Sequence, residues 1–143
     1  MLVLDETMKE KLKSISTDLN EQSTALTSGF KEVEDLLIRL NLGVTAWATE
    51  PINDKGIIYK FGFCKIKNKW QLVCRKEDMS HDNNKNSYGL LKTISWMPRH
   101  IRVQAASRLD DLIQQIIAKA SLFNGDIEKA LSNIKDATDR ISK

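Results

Sequence analysis

At 143 residues, with 41% hydrophobic and 29% charged side chains, the chain has the size and composition of one ordinary globular domain. It is long enough to bury a core without disulfides or a structural metal. No apolar run reaches the ~18 residues of a membrane span, Leu2 to Leu4 is too short for a signal-peptide core, and two cysteines, Cys64 and Cys74, are too few for a secreted disulfide scaffold. These features predict a cytoplasmic chain with no membrane partner.

The predicted architecture is α+β and a single domain over 1–143. Long N-terminal and C-terminal helices pack antiparallel, in a coiled-coil or bundle-like manner, beside a central three-stranded antiparallel β-meander. The first helix spans 5–41, with Met8, Leu12, Ile15, Leu19, Leu26, Phe30, Val33, Leu37 and Leu40 at near-heptad spacing. Ser23, Thr24, Thr27, Ser28 and Gly29 are poor helix formers and predict a break near 23–29. At 1.5 Å per residue an unbroken helix would be about 55 Å long, so it would overhang a compact body or find a partner.

The meander is expected over 43–76, in strands Val44 to Thr49, Ile57 to Ile66 and Trp70 to Arg75, which are rich in β-branched and aromatic residues. A tight turn at Asn68-Lys69 would set Phe63 across from Cys74 and Lys65 across from Leu72. It would place Tyr59, Phe61, Phe63, Trp70, Leu72 and Cys74 on one buried face. Residues 77–94 read as a polar loop and connection, and 95–143 as a helical segment with Pro98 in its first turn.

That last segment has the strongest periodicity in the chain. Leu109, Ile113, Ile116, Ala120, Phe123, Ile127, Ala130, Ile134, Ala137 and Ile141 alternate spacings of four and three, with Leu112, Ile117 and Leu131 widening the stripe. The residues singled out for helix-seam packing are Leu109, Ile113, Ile116, Phe123, Ile127 and Ile134. Asn124-Gly125-Asp126 predicts a kink or pause, or a chain reversal, at 124–126.

Charge is unevenly spread. Residues 1–54 carry five basic and ten acidic side chains, 55–108 twelve and three, and 109–143 five and six. The basic middle predicts an anion- or partner-binding surface at Lys65, Lys67, Lys69, Arg75, Arg99, Arg102 and Arg108. The competing expectation is that Glu32, Glu34 and Asp35 of the first helix neutralise Arg99, Arg102 and Arg108. Trp47, Trp70 and Trp96 could stack on bases, but core packing is their expected use.

Signals for catalysis are weak: no Gly-rich phosphate loop, no G-x-S-x-G and no H-E-x-x-H occurs. Cys64, Cys74, His81 and His100 have spacings that fit no common zinc module, and Asp110-Asp111 and Glu34-Asp35 read as solvated or first-turn acids. No catalytic, cofactor or metal site is therefore expected. The reading is a non-enzymatic interaction or regulatory protein that binds a protein partner, or a second copy of itself, through helical seams and a basic sheet surface. The alternative is a nucleic-acid-binding protein using the basic region with little sequence specificity.

Overall fold

The structure is a computed structural model, and it describes residues 5–77 and 91–142. It is α+β, with three α-helices and a mixed-length antiparallel sheet. Helix α1 (Glu6–Leu40) begins where the Asp5 carboxylate accepts a 2.8 Å hydrogen bond from the Met8 amide, and ends in the left-handed Asn41 (φ 51°). The expected break near 23–29 does not occur. The hydroxyls of Thr24 and Thr27 donate back to the carbonyls of Asn20 and Ser23, which accommodates these residues within an intact helix.

The sheet has five strands where three were expected: β1 (Ala46–Trp47), β2 (Ile52–Asp54), β3 (Ile57–Ile66), β4 (Lys69–Glu77) and β5 (Leu91–Thr93). The short β1 and β2 both pair with β3, and the order continues through β4 to β5. The β3–β4 turn is Lys67-Asn68, with φ of 51° and 65°, not Asn68-Lys69. Phe63 therefore faces Leu72, and Lys65 faces Trp70. This differs from the expected register by two residues, and an even shift leaves every side chain on its face. Phe61, Phe63, Leu72 and Cys74 are buried in the core and Tyr59 and Trp70 pack against it, as the alternation predicted.

A 3-10 turn (Ile94–Trp96) leads from β5 to Pro98, whose carbonyl accepts the first hydrogen bonds of α2 (Arg99–Ser107). The chain bends at Arg108 into α3 (Leu109–Ile141). The interruption thus lies at 107–109 and not at 124–126, where α3 runs on through Asn124 and Gly125. A glycine costs a helix interior about 1 kcal/mol, less than a second nucleation between good helix formers on either side.

The core gathers Phe30 and Leu37 of α1, Ile101 and Ala105 of α2, and Leu112 and Ile116 of α3 over the inner sheet face. Here the expected antiparallel zipping of the terminal helices within the chain needs correction. Helix α1 packs on α2, β4 and the 3-10 turn, whereas α3 packs on β1, β3 and α2. The sheet, with its buried Phe61 and Leu72, provides the apolar surface on which the C-terminal half of α1 and the first third of α3 are buried.

Candidate functional site

The heptad stripes divide into a buried and an exposed half. On α3, Ile116 is buried, and Leu109 packs against the core. Phe123 and Ile127 are exposed, and so are Leu131, Ile134 (62% exposed) and Ile141. On α1, Leu26, Phe30, Val33 and Leu37 reach the core, while Met8, Leu12 (55% exposed), Ile15 and Leu19 face solvent. Isolated surface leucines are ordinary, whereas these exposed apolar residues recur over several turns of each helix.

The two free halves lie at opposite ends of the body. Near one end, Arg99 of α2 donates a 3.2 Å hydrogen bond to Asn20, and α1 continues N-terminally beyond it. At the other, Asn41 and Leu42, just past the end of α1, line a cavity with Ala120, Phe123 and Ile127. Beyond these residues α3 runs on alone, its side chains exposed on every face from Ser121.

The basic residues fall into two groups. Arg102 lies in a polar socket on α1: its guanidinium donates to the Ser23 hydroxyl at 2.7 Å, to the Ser23 carbonyl at 3.3 Å and to the Thr27 hydroxyl. Arg108 lies 3.7 Å from Glu50 and donates to the Pro51 carbonyl at 3.4 Å. Arg75 stacks over the Trp47 ring at 4.5 Å and pairs with Glu77 at 3.3 Å. The expected partners Glu32, Glu34 and Asp35 take no part. Glu34 instead accepts the Leu72 amide at 2.8 Å, at an edge of β4 that β5 does not cover. Lys31 holds Glu34 at 3.5 Å and Asp35 at 2.9 Å, and the Asp35 hydrogen bond raises the Lys31 pKa. By contrast Lys65, Lys67 and Lys69 ring the β3–β4 turn, exposed, with no carboxylate within ion-pair distance among the described residues.

The Asp54 carboxylate, 2.9 Å from His100 Nε2, sets a negative charge beside the basic start of α2. Asp111, in the first turn of α3, accepts hydrogen bonds from the Thr49 hydroxyl and amide, both at 2.7 Å, and from the Glu50 amide at 3.4 Å. The hydroxyl bond, then the two amides, hold its pKa below the usual carboxylate range. Asp111 is thus the clamp between α3 and the β1–β2 link, a role its helix-start position alone did not disclose.

Of the tempting metal quartet, Cys64 and Cys74 point to opposite sheet faces by alternation, and both are buried free thiols. Burial raises both pKa values, that of Cys74 to about 12, so neither is poised as a nucleophile. His81 lies outside the described residues. No group of three or more metal-ligating side chains occurs among the described residues, and no helix among them is long and apolar enough to cross a membrane.

The tryptophans separate as well. Trp70 stacks on Phe63 with centroids 5.2 Å apart, and Trp47 lies across Gly62, which has no Cβ to displace it. Trp96 contradicts the expected core role: it is 81% exposed and lines, with Phe30, Glu34, Gln71 and Ile94, a cleft of about 360 Å³. The socket residues Ser23 and Thr27 were the other omission. Their signal was present as two small polar residues one turn apart on α1, but it resembled a helix breaker. No family model matches this chain, and no curated protein or solved structure matches it either.

Proposed function

We propose that this chain is a non-enzymatic interaction protein whose terminal helix halves bind partner helices through their apolar seams, with the α/β body fixing the spacing between them. The observation that carries this reading is the switch within each heptad stripe from buried to exposed. Leu26 to Leu37 and Leu109 to Ile116 are used by the core, while Met8 to Leu19 and Leu131 to Ile141 continue the same pattern exposed, with Phe123 and Ile127 half-covered beside Leu42 at the transition. Sequences that maintain an apolar seam beyond the edge of the body specify a contact there.

Photo-crosslinking in cells tests the reading, with a photoreactive residue placed at Leu12, Ile15, Ile127 or Ile134, and at the polar-face positions Glu10 and Lys129 as controls. Discrete adducts from the seam positions alone are expected. An absence of adducts, or equal adducts from the control positions, would remove the proposal.

A second reading, nucleic-acid binding, draws on one observation only: the uncompensated Lys65, Lys67 and Lys69 at the β3–β4 turn. Arg75, Arg102 and Arg108 are engaged within the fold, which weakens the broader basic surface. Binding to oligonucleotides that falls steeply between ~50 and ~200 mM salt, and is lost in Lys67→Glu/Lys69→Glu, would favour it. No binding at low salt would end it.

A further inference from the structure

We propose that the occupant of the exposed seams is a second copy of this chain. In a two-fold dimer, the N-terminal half of α1 in each protomer lies antiparallel on the C-terminal half of α3 in the other. This rests on the interaction reading above and names its partner.

The placement of the free halves favours exchange. They leave the body at opposite ends, that of α1 beyond Asn20 and that of α3 beyond Phe123. A two-fold axis across the long direction of the body brings each end of one copy to the other end of its mate. Each α1 seam then meets an α3 seam, and the arrangement closes with no seam left over. Pairing α3 with α3 would leave both α1 seams in water. The antiparallel contact that the heptads predicted is thereby made between chains and not within one.

Lengths and side-chain sizes agree with this pairing. Residues 6–22 of α1 span about 26 Å and residues 121–141 of α3 about 32 Å at 1.5 Å per residue. One antiparallel register brings Met8 opposite Ile141, Leu12 opposite Ala137, Ile15 opposite Ile134 and Leu19 opposite Ala130 in the partner chain. In that register each leucine of α1 meets an alanine, so large and small residues interlock along the contact. The only interior polar layer sets Gln22 against Ile127, next to the body.

The area is also sufficient. Fully burying a leucine-sized side chain removes roughly 60–120 Å² of apolar surface. The seam residues of that register, Met8, Leu12, Ile15, Leu19, Ile127, Ile134 and Ile141, each expose between 42% and 84%. Over two symmetric contacts they would bury roughly 470–940 Å² of apolar surface. Apolar atoms make up roughly 60% of interfaces, so the total is about 800–1,600 Å², whose upper half lies in the range of stable complexes.

The experiment uses the full chain with Leu12→Cys in one preparation and Ala137→Cys in another. The native Cys64 and Cys74 are buried and leave the new thiols as the accessible ones. Oxidation of an equal mixture is expected to give a disulfide-linked species of double the 16.3 kDa chain mass, with little from either preparation alone. Light scattering should show a dimer that Ile134→Asp converts to a monomer whose near-ultraviolet circular dichroism, which comes from tryptophans that all lie in the body, is unchanged. Crosslinks in each preparation alone, with no greater yield in the mixture, would overturn the exchange. A monomer from micromolar to near-millimolar concentration would overturn the second copy. If seam-positioned photo-crosslinks then join the monomer to a different chain, the interaction reading survives that result; if they join it to nothing, both readings fall.

Discussion

Truncating two isoleucines of the same α3 stripe separates the buried seam from the exposed one. Ile116 is 1% exposed and sits in the core, whereas Ile134 is 62% exposed. Ile116→Ala removes three methylene-sized groups, about 2.4 kcal/mol of transfer free energy at ~0.8 kcal/mol each. The cavity left between α3 and the sheet raises the cost to about 3–4 kcal/mol. With a urea m-value near ~2 kcal/mol/M, the unfolding midpoint should fall by about 1.5–2 M. Ile134→Ala loses at most about 1 kcal/mol in the protomer and regains part of it from the helix preference of alanine, so its midpoint should move by only about 0.25 M in dilute solution. Urea titrations followed by circular dichroism measure both. Equal shifts for the two variants in dilute solution would refute the division of the stripe, and an unchanged midpoint for Ile116→Ala would refute the packing of α3 on the sheet.

Arg102→Ala should lower stability by about 2 kcal/mol, because it removes the hydrogen bonds to Ser23 and Thr27 and the aliphatic stem between α1 and α2; an unchanged thermal midpoint would show the socket to be inert. Gly62→Ala should cost about 1–3 kcal/mol and change tryptophan emission, since a Cβ there would meet the Trp47 ring and lie 2.7 Å from the Ala46 carbonyl; a wild-type spectrum and midpoint would count against that packing. Asp111 has a lowered folded-state pKa, so its contribution is present above the unfolded value near ~3.9 and is lost as pH falls through the folded one. Asp111→Asn should therefore reduce stability at neutral pH and flatten the acid limb of the pH–stability curve, and an unaltered acid limb would contradict the clamp.

The sheet face was legible because strand alternation survives an even register shift: Phe61 and Leu72 are buried under either turn. The turn itself was not, because it places Lys67, an uncommon left-handed residue, at φ 51°. Strand β2 was concealed because Pro51 to Gly56 has turn composition, and β5 because three residues give too little alternation to read. The break at Arg108 was hidden because Arg99 to Leu109 contains no glycine or proline to mark it, although Asp110-Asp111 marked a helix start. Periodicity found the seam residues correctly but carried no information on which neighbour covers them. Ile116 and Ile134 look alike in sequence, and only the extent of the body decides that one joins the core cluster of Phe61 and Leu72 while the other stays exposed.

The central claim is that residues 5–22 and 121–142 are contact surfaces left open by the body. Amide hydrogen exchange across a dilution series tests it most directly, because uncovered helices of this length are marginal in water and exchange quickly. Protection in both segments at high protein concentration, lost together on dilution while β3, β4 and the first turns of α3 remain protected, is the predicted result. Exchange in the two segments that does not change with concentration would contradict self-association, and strong protection in a proven monomer would contradict the open seams altogether.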